Sequence, residues 1–138
     1  MRLRTETRVR ARTLQLLYAL EITADSGTSR GAEGVAELTG ELRLVRDEVE
    51  PLVRRIREQQ QAIDRVAADA ADNWRLDRIA TVERNILRIA IFELRCNRAP
   101  PKVVIDEALW LAHRFAGTRA PAFINGVLDR VARDLGRL

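Results

Sequence analysis

The chain holds one cysteine, one lysine and one histidine in 138 residues. Cys96 therefore closes no internal disulfide, and its surroundings offer no metal-ligand spacing. It stands in the polar turn CNRAPP with no activating base near it in sequence, which argues against a thiolate nucleophile. His113 lies between Ala112 and Arg114 near the end of a helical pattern, where a histidine usually faces solvent. The seven glycines never fall into GxGxxG or GxxxxGK[ST], so no phosphate-cradling loop is present. Asp106 and Glu107 are adjacent, and neighbours on a helix point about 100° apart, so they form no acid–base pair. Apolar runs fall short of the roughly 18 residues that a membrane span requires. The N-terminus lacks the unbroken apolar core and small-residue site of a signal peptide. These absences predict no catalysis, no metal, no cofactor, and a soluble chain in a reducing, cytoplasmic setting.

What the chain does have is arginine, unevenly placed. The first eighteen residues hold Arg2, Arg4, Arg8, Arg10 and Arg12 against Glu6 alone, a local charge of +4. The other 120 residues carry 19 basic and 19 acidic side chains and sum to zero. A positive patch on a neutral body points to a polyanionic partner, nucleic acid first, with a solubility tail as the plainer alternative.

Apolar residues recur at helical spacing almost throughout, and no stretch alternates as a strand does. Thr5 or Thr7 is placed to cap a first helix running to about Ile22, with Leu14, Leu17 and Tyr18 inward and Arg4, Arg8 and Arg12 on another face. TADSGTSRG reads as a loop, and Val35, Leu38 and Leu42 suggest a short second helix. DEVEP opens a third, with Pro51 in its first turn. The apolar pattern slips across REQQQA, between Ile56 and Ile63, which predicts a break into two helices. Thr81 is placed to cap a fifth helix whose centre, ILRIAIFEL, is apolar on most sides and therefore central. The sixth carries Val104, Ile105, Ala108, Leu109, Ala112 and Phe115 inward, and the last carries Phe123, Ile124, Val127, Leu128, Val131 and Leu135. Gly126 inside that helix suggests either close approach of another helix or simple drift. The prediction is an all-α fold of about seven helices in two small packed bundles, residues 1–73 and 74–138.

Three stretches, RVRARTLQLLYALE, VERNILRIAIFEL and PPKVVIDEALWLAHRFAG…FINGVLDRVA, together resemble the NusB family of transcription antitermination factors. They occur in order and span nearly the whole chain. The resemblance implies a non-enzymatic, all-α protein of two helical subdomains. It also implies a pairing with the ribosomal protein NusE, binding to single-stranded boxA RNA of ribosomal RNA operons, and a place with other Nus factors in an antitermination complex on RNA polymerase.

Carried onto this sequence, the resemblance makes Arg8, Arg10 and Arg12 the RNA-facing start of the first helix. Arginine suits that task because its planar fork pairs with phosphate or stacks on bases. Lys102 matches the PxKV lysine, and Phe123 and Asn125 match F-[VI]-N-G. Phe123 fits either a base-stacking role or a core position, and Asn125 either an RNA contact or a local backbone bond. For the protein partner the matching positions are Tyr18, Asp77 and Glu83. Tyr18 fits an interface or the Leu14 stripe, and Asp77 a basic partner or a helix cap. The sequence departs from the family at the TRAPA turn before FING, usually more polar, and at Trp110, usually charged. Trp110 lies off the inner stripe, which leaves a homodimer contact open.

Two other functions fit parts of the pattern. A helix-turn-helix DNA-binding module would use the same basic patch, but PAFING makes a poor reading head. A NusB-like accessory domain of an RNA methyltransferase would need a cofactor-binding domain, and none is found before Leu138.

Overall fold

The computed structural model describes residues 4–26, 46–71 and 78–138. Among them are six α-helices and no strand, so the class is all-α. The short helix expected around Val35, Leu38 and Leu42 lies outside the described residues. The chain divides into two compact units, Met1–Arg57 and Glu58–Leu138. The division falls in the polar REQQQA stretch, where the apolar pattern slips.

In the first unit, α1 spans Thr5–Ser26. It buries Val9, Leu14, Leu16 and Leu17 on one side. It begins at Thr5 itself, so Thr7 lies inside the first turn instead of capping it. It also runs past Ile22, where the Thr23 hydroxyl donates to the Ala19 carbonyl at 2.6 Å, a bond that keeps a β-branched polar residue inside the helix. Helix α2 spans Arg46–Glu58 and buries Val49, Leu52, Val53 and Ile56. Pro51 is inside this helix and not in its first turn, because the helix starts earlier than DEVEP suggests. There Pro51 forfeits the bond its N–H would have made to the Asp47 carbonyl. Four buried apolar residues on one stripe outweigh that loss. Asp47 and Glu48 at the start and Arg55 and Arg57 at the end complement the helix dipole.

The second unit holds α3 (Gln60–Ala70), α4 (Thr81–Cys96), α5 (Pro101–Phe115) and α6 (Ala120–Asp134). Helix α4 packs against each of the other three, and α6 also packs on α3 and α5. That is the central place which an all-round apolar helix demands: every residue from Asn85 to Leu94 is buried. Two of its buried polar members, Arg88 and Asn85, find partners within the unit. Arg88 donates from Nε and Nη2 to the two carboxylate oxygens of Asp64 on α3, at 2.9 and 3.0 Å. Its Nη1 donates to Asn85 Oδ1 at 3.1 Å, and Asn85 Nδ2 donates to the Thr81 carbonyl at 2.9 Å. The position before α4 is Ala80, so Thr81 contributes its carbonyl to this network and not its hydroxyl to a cap.

Two left-handed residues end helices in this unit. Asn97 has φ 53° and ψ 41°, and the next N–H, from Arg98, returns to the Glu93 carbonyl at 3.2 Å. At the end of α6, Gly136 has φ 70°, and the Arg137 N–H reaches the Ala132 carbonyl at 2.8 Å. Both are Schellman closures, which favour Gly or Asn at the turning residue. On α5 the buried leucine is Leu111, while Leu109 and Phe115 are half-buried. On α6, Phe123 is half-buried and Leu135 is exposed, and Ala120 and Ala132 complete the buried stripe instead.

Candidate nucleic-acid interface

Helix α1 sorts its side chains by a turn of about 100° per residue. Arg8, Arg12, Gln15, Tyr18 and Ile22 follow one another at steps of three or four and share one face. Thr7, Val9, Arg10, Thr13, Leu14, Leu16 and Leu17 are buried on the other side. Thr13 is accommodated there because its hydroxyl donates to the Val9 carbonyl at 2.7 Å.

The arginines of the cluster therefore do different things. Arg4 and Arg8 are exposed. Arg12 is half-buried, and its Nη1 donates to Gln15 Oε1 at 2.8 Å. Arg10 is 7% exposed and is engaged by an interaction within the protein. The reason is its phase: Arg10 lies three, four and seven residues before Thr13, Leu14 and Leu17, squarely on the buried stripe. The solvent-accessible positive charge at the start of this helix is carried by Arg4, just ahead of it, by Arg8 and in part by Arg12, at four-residue spacing. Further along the same face, Tyr18 and Ile22 are 41% and 43% exposed. Tyr18 is thus a surface residue and not part of the Leu14 stripe.

In the second unit, Lys102 is exposed in the first turn of α5. Phe123 and Asn125 are both near the start of α6. Two residues apart on a helix, they face about 200° apart. Phe123 is half-buried and already in contact within the protein, whereas Asn125 is exposed. Gly126 beside it has open space: a Cβ built there meets nothing within 4 Å. Among the described residues no helix approaches it closely. Arg119, ahead of α6, is exposed, and Glu83 is half-buried in the first turn of α4. Trp110 is half-buried. Asp77 lies outside the described residues.

Among the described residues no group of three or more His, Cys, Asp and Glu side chains is arranged to hold a metal ion. No described helix is long and apolar enough to cross a membrane. Gln15 and the Asp64–Arg88 pair were not apparent as functional or structural partners in the sequence. The i, i+3 spacing of Gln15 from Arg12 is the one local signal for the first, and nothing local marks the second, whose members are 24 residues apart.

The class defined by this fold and surface is an all-helical binding protein with a positively charged helix face. Comparison with known proteins then fixes the family. The NusB family model matches residues 7–133, and the chain belongs to the NusB family. It is accordingly not an enzyme. It is 42% identical over 132 residues to the transcription antitermination protein NusB of Anaeromyxobacter dehalogenans, covering 94% of this chain and 91% of that one. It is 35% identical over 136 residues to the protein of the same name from Myxococcus xanthus, covering 93% and 94%. Its structure matches that of T. maritima NusB with a TM-score of 0.81 at 28% identity, over 97% of this chain and 94% of that one.

Proposed function

We propose that this protein is a cytoplasmic transcription antitermination factor that binds boxA-type single-stranded RNA of ribosomal RNA operons in partnership with ribosomal protein NusE. In this reading it works in an antitermination complex with other Nus factors on RNA polymerase. The observation that carries the RNA part is the exposed basic face of α1, where Arg8 and Arg12 stand one helical turn apart while the rest of the chain is electrically balanced. Guanidinium groups on a rigid helix suit phosphate and unstacked bases alike. Lys102 and Asn125, both exposed in the second unit, are further RNA contacts in the proposal, and Phe123 contributes as much of its ring as the fold leaves open. Arg10, being buried, supports α1 from behind.

For the protein partner, the exposed pair Tyr18 and Ile22 supplies an apolar patch with one polar tip at the far end of the α1 face. Glu83 and Asp77 supply negative charge for a basic partner.

The test is fluorescence anisotropy of a labelled boxA-type RNA with and without the cognate NusE, against a scrambled RNA. The expected result is at least tenfold tighter binding with NusE, about 1.4 kcal/mol of coupling. The preference for boxA should disappear with the scramble, and affinity should fall when Arg8 and Arg12 are both changed to Ala. Equal affinity for both RNAs with no effect of NusE would overturn the proposal.

A further inference from the structure

Helix α1 gives one of its arginines something that the exposed ones lack among the bonds described above: a neutral side chain that holds its guanidinium in place. Gln15 follows Arg12 by three residues, so both lie on the same face. Side chains on a helix lean towards its N-terminus, which brings the Gln15 amide back over the preceding turn. There its Oε1 accepts a hydrogen bond from Arg12 Nη1 at 2.8 Å, with both residues half-buried. We infer that Gln15 is a positioning residue for RNA binding, which fixes the plane of the Arg12 guanidinium and aims it at the nucleic acid.

The inference rests on the RNA-binding reading of the basic face. Its physical basis is separate from that reading. A guanidinium has five N–H donors in one plane, and the bond to Gln15 engages one of them. The plane is set while most of the fork stays directed elsewhere. An arginine in free rotation loses that freedom when it pairs with a phosphate or stacks on a base, and an arginine already held loses less. The acceptor must be neutral for this to help. A carboxylate at position 15 would hold the same plane but cancel the charge that attracts RNA. An amide carbonyl sets orientation without neutralisation.

The alternative is that the Arg12–Gln15 bond only adds a few tenths of a kcal/mol to helix stability, as such pairs do on any helix surface. The experiment separates the two. Anisotropy titrations with a labelled boxA-type RNA, across a salt series, are run on the full chain and on Gln15→Met, Gln15→Glu, Arg12→Ala and the Gln15→Met/Arg12→Ala double variant. Thermal melts accompany each.

Gln15→Met keeps length and helix propensity but removes the acceptor. It is expected to weaken RNA binding about three- to tenfold, with the salt slope and the melt unchanged. In the Arg12→Ala background the same change is expected to do nothing. Gln15→Glu is expected to keep the hydrogen bond, weaken RNA binding, and lower the salt slope by about 0.7, the contribution of one cation on a single strand. The inference is overturned if Gln15→Met binds like the parent, or if it weakens binding equally with and without Arg12. The latter result would make Gln15 a direct contact or a helix stabiliser. If the parent chain binds boxA and scrambled RNA alike and no variant differs from it, the RNA-binding reading fails first and the positioning role falls with it.

Discussion

Arg10 and Arg8 differ by two positions and by everything that matters to a charged side chain. Arg8 is in solvent, whereas Arg10 is 7% exposed and engaged within the fold. Removing a buried, partnered polar group typically costs about 1–3 kcal/mol. Arg10→Ala is therefore expected to lower stability by that amount, read as a drop in the urea midpoint, while its folded fraction keeps the parental salt slope for RNA. Arg8→Ala is expected to do the reverse: an unchanged midpoint and a slope reduced by about 0.7. The Asp64–Arg88 pair gives a second prediction at this scale. Asp64→Ala leaves a guanidinium with 8% exposure without its carboxylate. The cost should approach about 3 kcal/mol, because an abandoned buried charge is worse than a lost contact. A urea melt giving less than 1 kcal/mol would show that Arg88 finds water instead. At this scale the sequence was legible where helical phase alone decides. The phase that puts Arg4, Arg8 and Arg12 together also puts Arg10 with Leu14 and Leu17, yet charge pulls the eye towards a surface role. Asp64 and Arg88 carry no such signal, because their meeting depends on two helices packing.

Among the elements, the central helix was the easiest to read. ILRIAIFEL leaves α4 no polar side to turn outward, and only a position among other helices satisfies it. Helix ends were harder, since they depend on local hydrogen bonds. Thr81 has the chemistry of a cap and stands one residue too late to act as one. Pro51 looks like a helix start and sits inside α2 because its neighbours bury four apolar side chains. The left-handed Asn97 predicts a graded series. Asn97→Ala should cost about 1 kcal/mol and Asn97→Gly close to nothing, since only a Cβ penalises that conformation. Gly126 is the opposite case. It lies in the interior of α6 with open space around its Cα and no positive φ, so nothing in the fold requires glycine. Gly126→Ala is expected to stabilise the protein by about 0.5–1 kcal/mol. A loss of RNA affinity in that variant, with the gain in stability intact, would show that a ligand uses the space.

The whole molecule is a neutral body with a charged helix start. Changing Arg4, Arg8 and Arg12 together to Gln takes the formal net charge from +4 to +1 and leaves every buried side chain in place. The salt slope of RNA binding should fall by about 2, with a melting temperature within a few degrees of the parent's. A variant of equal charge change made on the exposed Arg54, Arg55 and Arg57 of α2 should keep most of the salt dependence, which tests location against net charge. Composition foreshadowed this uneven layout. The division of the chain into Met1–Arg57 and Glu58–Leu138 was less visible. A single slipped repeat at REQQQA marks it, and a slip of that kind reads equally as a bend within one bundle.

One face of α1 runs from Arg8 to Tyr18, and ten residues of helix measure about 15 Å. A protein seated on Tyr18 and Ile22 is therefore anchored about 15 Å from RNA held at Arg8. If it nevertheless tightens that RNA, the messenger is the helix itself, stiffened along its length, or the visitor's own reach over the strand. The two routes leave different traces. A messenger helix would show slower amide exchange around Arg8 when only the protein partner is bound. In both cases thermodynamic reciprocity holds: whatever factor the protein partner lends to the RNA, the RNA must return to the protein partner.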